Sequence, residues 1–317
     1  MKVFPIFRTI DVRVLQRFKT YYILLKLVVK YGRFKHSKND FSSLRSRTLE
    51  KLQEFIPQKK YQARFSLYNR NSLLTNNAIV KRIAGEAAFV KKSFFPGANH
   101  LHNSFHNISY IRIPKSASTS MSWTMLFSIY PNMKDYSLST TEINYLTDVN
   151  LQTKLKEKTN EIFFTVLRNP FARLVSVYRD FFENKAHESI MKDYLFSVLP
   201  NTLSFSEFVE RIAIIPRHLQ EPHFKPQSLF VDYYEKHGHN VVILKVDKPG
   251  EVESFLSIYG LKLPFLNASE SSYDYRTYFT QKTFESVSEL YSEDIRRFNF
   301  SIEVNDLKNF LIKNEQN

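Results

Sequence analysis

Residues Ile162–Leu167 (Ile-Phe-Phe-Thr-Val-Leu) form an uncharged, almost wholly apolar run, closed by Arg168-Asn169-Pro170 and followed by the amphipathic stretch Phe171–Arg179. A run this short, bounded by polar residues, reads as a strand buried on both faces. Proline three positions after the strand's last residue suits the first turn of a helix, where its missing N–H costs nothing. About fifty residues earlier, Ile108–Ile113 leads through Pro114-Lys115-Ser116-Ala117-Ser118-Thr119-Ser120 into a helical pattern over Thr119–Tyr130. Two strand–turn–helix units in succession demand parallel strands with helices packed on them. The expected fold class is therefore α/β, a parallel sheet flanked by helices.

The pattern continues downstream. A helix is expected over Ser206–Ile214, opened by a serine cap in place of a full capping box. Asn240–Val246 reads as a further strand, and Glu251–Tyr259 as a helix stopped at Gly260. Gln281–Phe298 and Val304–Lys313 read as late helices. A compositional shift near residue 100 divides the chain into an N-terminal helical, basic appendage over 1–100 and a catalytic domain over 101–317. In the appendage, basic residues Arg8, Arg13, Arg17 and Lys19 precede the apolar stretch Tyr21–Tyr31, which Lys26 and Lys30 interrupt. That stretch is too short and too charged to span a bilayer. Residues 10–31 could lie as a helix on an anionic membrane surface, or pack on the body of the protein.

Bulk composition narrows the functional classes. The 317 residues contain no cysteine, which excludes disulfides and thiolate zinc sites and leans towards a reducing compartment. Only six glycines argue against low-complexity sequence. Lys and Arg outnumber Asp and Glu by 45 to 31, a net charge of +14, so the surface favours anionic partners. No carboxylate or histidine cluster has metal-ligand spacing, so metal-independent chemistry is expected.

Both turns suit anions. At the first, helix-opening N–H groups, the hydroxyls of Ser118, Thr119 and Ser120, and the mobile charge of Lys115 could hold an anion. The other reading is a plain Ser/Thr helix cap. At the second, Arg168 could fork onto a phosphate and Ser176 could donate from two helical turns beyond, on the face of Arg173. The other reading pairs Arg168 with a carboxylate and uses Ser176 only for close packing.

Taken together, the two segments resemble the cofactor-binding motifs of sulfotransferases that use 3′-phosphoadenosine 5′-phosphosulfate. They are most similar to Golgi-type carbohydrate sulfotransferases and their bacterial relatives. The resemblance implies a P-loop-NTPase-like sulfotransferase fold. It implies that Lys115, Ser116, Ala117, Ser118, Thr119 and Ser120 surround the 5′-phosphosulfate, and that Arg168 and Ser176 bind the 3′-phosphate. Glu221-Pro222-His223-Phe224-Lys225-Pro226-Gln227 resembles the His-aromatic-x-Pro-Gln segment of the same group, and Leu263–Phe298 resembles its tail. The likeness covers roughly residues 105–300.

From this resemblance follow a sulfuryl donor, 3′-phosphoadenosine 5′-phosphosulfate, and a glycan or glycolipid hydroxyl as acceptor. Lys115 is expected at the bond that breaks. His223 is the first candidate for the base, with His102 and His106 as alternatives. The cysteines of the animal enzymes are missing, as is the Gly-x-x-Gly-x-x-Lys stretch of the cytosolic small-molecule enzymes. Both departures point to a bacterial-type glycan enzyme in the cytoplasm, peripheral at the inner membrane, in preference to the Golgi lumen. A small-molecule kinase would want a glycine-rich loop and acidic magnesium ligands, which are not evident. A non-catalytic polyanion-binding protein could offer Lys59-Lys60, Lys81-Arg82 and Lys91-Lys92 near Tyr61, Phe89 and Phe94 to nucleic acid; a solvated surface is preferred, so no nucleic-acid partner is expected.

Overall fold

A computed structural model of the chain describes residues 99–316, apart from 136–137, 139, 156–159, 185–197, 218–219 and 265–272. The expected appendage over 1–100, with its helix over 10–31, lies almost entirely outside the described residues.

Five strands form one sheet: β1 (Asn99–Asn103), β2 (Ile108–Ile111), β3 (Gln152–Lys154), β4 (Ile162–Leu167) and β5 (Val241–Lys245), in the order β3-β1-β2-β4-β5. β2, β4 and β5 run parallel, with Tyr110 opposite Phe164 and Phe164 opposite Val242. β1 is antiparallel to both β2 and β3. The sheet is therefore mixed, which corrects the expectation of a parallel one. β1 escaped the reading because Asn-His-Leu-His-Asn carries little apolar signal, yet His100 and Asn103 are buried. Its tight connection to β2 makes a hairpin, and a hairpin must be antiparallel.

The helices are α1 (Ser118–Ile129), α2 (Thr140–Asn150), α3 (Pro170–Tyr178), α4 (Phe205–Ile214), α5 (Ser228–Glu235), α6 (Glu251–Ser257), α7 (Gln281–Leu290), α8 (Ser292–Arg297) and α9 (Ser301–Glu315). Alternation along the strands divides the core. Tyr110, Phe164 and Val166 pack with Met121 and Met125 of α1 and Val252 and Leu256 of α6. Ile111, Phe163 and Leu167 point the other way, onto Phe230, Val231 and Tyr234 of α5 and onto Phe298 and Phe300. A third cluster wraps α3, built from Phe171, Leu174, Phe208, Phe284 and Leu307 among others. α3 is thus enclosed on nearly every side, and Ser176 is its one position not fully buried.

Several boundaries differ from expectation for identifiable reasons. α4 begins at Phe205 with a complete capping box: Ser204 Oγ accepts from the Glu207 N–H at 3.3 Å, and the Ser204 N–H donates to the Glu207 carboxylate at 2.8 Å. The cap lies two residues before the serine at which the expected helix began. α3 gives way at Arg179–Glu183 to a π-helical turn, a feature that collects at functional positions. The expected helix Gln281–Phe298 breaks at Tyr291, where ψ is 20°. Tyr291 is buried and donates to the Phe224 carbonyl at 2.6 Å. No Gly or Pro marks the break, so only the tertiary contact reveals it.

Candidate active site

The three parallel strands end on one edge of the sheet. Beyond β2 lies the turn Pro114–Ala117, beyond β4 the pair Arg168-Asn169, and beyond β5 Asp247, whose carboxylate accepts the Asn169 N–H at 2.5 Å. A crevice outside the carboxyl ends of parallel strands is where α/β proteins place their ligands.

In the first turn, Lys115 (φ 64°) and Ala117 (φ 55°) are left-handed. Each costs a side-chain-bearing residue on the order of 1 kcal/mol or more. Left-handed residues in such a turn curl the chain so that backbone N–H groups converge into a concave anion site. Ala117 is the N-cap of α1, and no side chain caps the helix. The plain Ser/Thr cap reading is thereby corrected: Ser118 and Thr119 open the helix half-buried, and its first N–H groups are not taken by a capping side chain. Ser120 is buried, and Ser116 is fully enclosed.

In the second turn, the Asn169 side chain caps α3 by accepting from the Phe171 N–H at 2.9 Å, ahead of Pro170 at the first helical position. Its amide also donates to Tyr275 Oη at 3.0 Å, drawing the 275–278 turn to this corner. The half-buried Arg168 side chain reaches the Lys115 carbonyl at 3.4 Å. The two turns therefore share one site. Among the described residues Arg168 makes no ion pair, against the carboxylate-pairing alternative.

Two buried side chains, neither foreseen from the sequence as a site residue, hold these pieces together. Arg173, 1% exposed, donates from Nε to the Pro114 carbonyl at 2.9 Å and from its two terminal nitrogens to Lys225 and Pro222 carbonyls at 2.8 and 2.9 Å. Gln227, 0% exposed, accepts from Ser116 Oγ at 3.1 Å and the Arg168 N–H at 3.0 Å, and donates to the Arg168 carbonyl at 2.8 Å. Gln227 is itself anchored from below. Asp294 of α8 accepts the N–H groups of Gln227 and Ser228 at 2.7 and 2.8 Å at the start of α5. Burial raises the Asp294 pKa even though those hydrogen bonds favour its charged form. The recognisable Pro-Gln spelling was the available signal for Gln227; Arg173 carried none beyond its place on the face of Ser176.

Arg173, Ser176 and Asp180 are spaced to share one side of α3 and its continuation. Arg173 meets Pro114, and Asp180 forms an ion pair with Lys115 Nζ. Ser176 lies between them, on the side that faces the first turn. Lys115 Nζ also lies 5.9 Å from the centre of the Phe181 ring, and the His223 ring packs edge-on against the same ring at 5.0 Å. His223 Nδ1 is 2.9 Å from both carboxylate oxygens of Glu221, and the His223 N–H donates to Glu221 Oε2 at 2.7 Å. Next to it, Lys225 is 2% exposed, and burial lowers its pKa to about 8 against the pull of Glu221.

The alternative bases are not brought here. His102 bonds with Ser109 Oγ at 3.1 Å and lies 3.3 Å from Glu161, which immediately precedes β4. His106 packs on Tyr259 in the β1–β2 connection. Both lie at the other end of the strands, roughly 20 Å from the turns given the rise of β4. The site thus collects Lys115, Ser116, Ala117, Ser118, Thr119, Ser120, Arg168, Ser176 and His223 on one edge and leaves out His102 and His106. Among the described residues, no group of three or more His, Cys, Asp or Glu side chains is arranged to hold a metal ion.

A family model described as the sulfotransferase family matches residues 99–301, from the first strand to the start of α9. No curated protein matches the chain, and no solved structure does. The family match spans well over half of the sequence and contains the Pro114–Ala117 turn, the Arg168-Asn169 turn and the His223 segment, and the chain therefore belongs to the sulfotransferase family.

Proposed function

We propose that the protein transfers a sulfuryl group from 3′-phosphoadenosine 5′-phosphosulfate to a hydroxyl of a carbohydrate acceptor. The observation that carries this reading is the reach of Arg168 to the Lys115 carbonyl, with Gln227 bonded to both turns. One nucleotide with phosphates at its 5′ and 3′ ends would be gripped at both. Lys115, Ser116, Ala117, Ser118, Thr119 and Ser120 would hold the 5′ end; Arg168 and Ser176 would take the 3′-phosphate. A strand–turn–helix that binds through backbone N–H groups supports a P-loop-like arrangement built without the usual glycines.

The donor supplies an activated sulfur–oxygen bond. The acceptor oxygen attacks sulfur, the bond to the 5′-phosphate breaks, and the products are a sulfate ester and adenosine 3′,5′-bisphosphate. Lys115 and the turn N–H groups stabilise the charge that grows on the departing phosphate oxygen, the largest electrostatic demand of the reaction. His223 accepts the acceptor's hydroxyl proton at Nε2. Asp180 must release Lys115 as the donor enters. The basic surface supports an acidic or lipid-linked glycan as acceptor. Among the described residues no helix is long and apolar enough to cross a membrane. Contact with an anionic membrane through residues 10–31 is part of the proposal.

The decisive experiment has two arms. Thermal stability is measured with adenosine 3′,5′-bisphosphate, with ATP–magnesium and with an oligonucleotide; selective stabilisation by the bisphosphate is expected. Radiolabelled sulfate transfer is then followed onto a panel of glycans. Stabilisation by ATP–magnesium alone would favour a kinase, and stabilisation by the oligonucleotide alone a nucleic-acid binder.

A further inference from the structure

We propose that Glu221 is a positioning residue for the reaction: it holds the His223 imidazole as the Nδ1–H tautomer and leaves Nε2 free to take the acceptor's proton. The inference rests on the reading of His223 as base, and it names what makes that base competent. Neutral imidazole in water favours the Nε2–H form, in which Nε2 is a donor and cannot accept a proton. Which nitrogen carries the hydrogen is decided by the partner of the other. A carboxylate only accepts, so Nδ1 at 2.9 Å from both Glu221 oxygens must be the donor. Nε2 makes no protein hydrogen bond among the described residues and is the nitrogen left for substrate.

The geometry is held from several directions. Oε2 of Glu221 also takes the His223 backbone N–H at 2.7 Å, which fixes the carboxylate relative to the ring's own main chain. The Glu221 carbonyl accepts the N–H groups of Phe224 and Lys225 at 3.1 and 3.0 Å, closing a tight turn between Pro222 and Pro226. Arg173 clamps the carbonyls of Pro222 and Lys225, and Phe181 packs against the imidazole. Glu221 is 8% exposed, so water competes little for it. Glu221 in turn acts electrostatically on the buried cations Lys225 and Arg173. A carboxylate that only capped the turn would need the backbone contact and not the paired approach to Nδ1.

The test uses the full chain labelled with ¹⁵N, comparing wild type, Glu221→Gln and Glu221→Ala, with His223→Gln to assign the resonance. Imidazole ¹⁵N shifts are expected to show Nδ1–H in the wild type and a mixture dominated by Nε2–H in Glu221→Ala. Turnover should fall about 100-fold in Glu221→Ala, within the span that general-base catalysis contributes, with the dissociation constant for adenosine 3′,5′-bisphosphate unchanged. Glu221→Gln, which can still accept from Nδ1, should keep more of both the tautomer and the rate; it also serves if Glu221→Ala folds poorly. Persistence of the Nδ1–H form in Glu221→Ala, or full turnover in that variant, overturns the proposal. Full turnover in His223→Gln would instead overturn His223 as base, whatever the tautomer spectra show.

Discussion

Gln227 holds Arg168 by both sides of its main chain: Oε1 accepts the Arg168 N–H at 3.0 Å, and Nε2 donates to the Arg168 carbonyl at 2.8 Å. The same Oε1 accepts from Ser116 Oγ at 3.1 Å, so one buried carboxamide sets the spacing between the two strand-end turns. Gln227→Ala leaves three buried polar groups without this partner. We expect a loss of about 2–4 kcal/mol, since each stranded group costs on the order of 1 kcal/mol or more. The affinity for adenosine 3′,5′-bisphosphate should fall at least about tenfold, a shift of roughly 1.4 kcal/mol. Chemical denaturation and titration calorimetry measure the two effects; a fully stable variant with unchanged affinity would remove Gln227 from this role.

Arg173→Lys preserves the charge and loses the fork. A lysine ammonium cannot serve the carbonyls of Pro114, Pro222 and Lys225 together, because they approach a planar guanidinium from separate directions. The variant should be destabilised by about 2–3 kcal/mol. It should also lose turnover beyond what reduced stability explains, since the Pro114–Ala117 turn and the His223 turn are no longer joined. Turnover measured well below the melting temperature separates the two effects.

Lys115→Ala should reduce turnover by about 10²–10³-fold, the range seen when one donor to a developing anion is removed. The acceptor KM should change little, because the proposed mechanism has Lys115 act on the leaving phosphate. An unchanged rate would take Lys115 out of the chemistry.

Asp180→Asn removes the carboxylate that occupies Lys115. The pair is about one-fifth exposed on each side, so solvent screens part of the attraction. Release is worth roughly 1 kcal/mol or less, or up to about fivefold tighter binding of adenosine 3′,5′-bisphosphate. Weaker binding would mean that Asp180 orients Lys115 for the donor instead of competing with it.

His100 makes the protein acid-sensitive from the far end of the sheet. It is 2% exposed, and burial lowers its pKa from 6.5 to about 4, against a favourable pull from Glu161 and with further repulsion from His102 and His239. Tyr234 Oη lies 3.3 Å from Nδ1 and contributes no charge at these pH values. Above pH 6.5 the residue is neutral in both folded and unfolded chains, and its contribution is complete. As pH falls from 6.5 towards 4, the unfolded chain binds the proton first, and up to about 3 kcal/mol of stability is lost. His100→Gln should flatten the stability profile in that window. Urea denaturation at a series of pH values measures it, and parallel slopes in the two proteins would refute the assignment.

The residues next to one another in the chain were legible. β4 has the expected bounds, and the polar turns after β2 and β4 fall where Pro114–Ser120 and Arg168–Pro170 indicated. Alternating burial and an early proline act over a few residues, so they are written locally. His223 could be singled out by its segment, but nothing in the spelling of the sequence separated its site from that of His102 or His106. Their exclusion required the direction of the strands.

What the sequence determined by itself was the set of parallel strand–turn–helix units and the polar, basic character of their turns. The tertiary structure alone decided that β1 and β3 make the sheet mixed, that the late helix breaks at Tyr291, and that Gln227 and Arg173 join the turns. Ser116 and Gln227 are 111 residues apart, and Arg168 and Gln227 are 59 apart. A hydrogen bond over such a separation depends on how the layers pack, and no local pattern of residues encodes it.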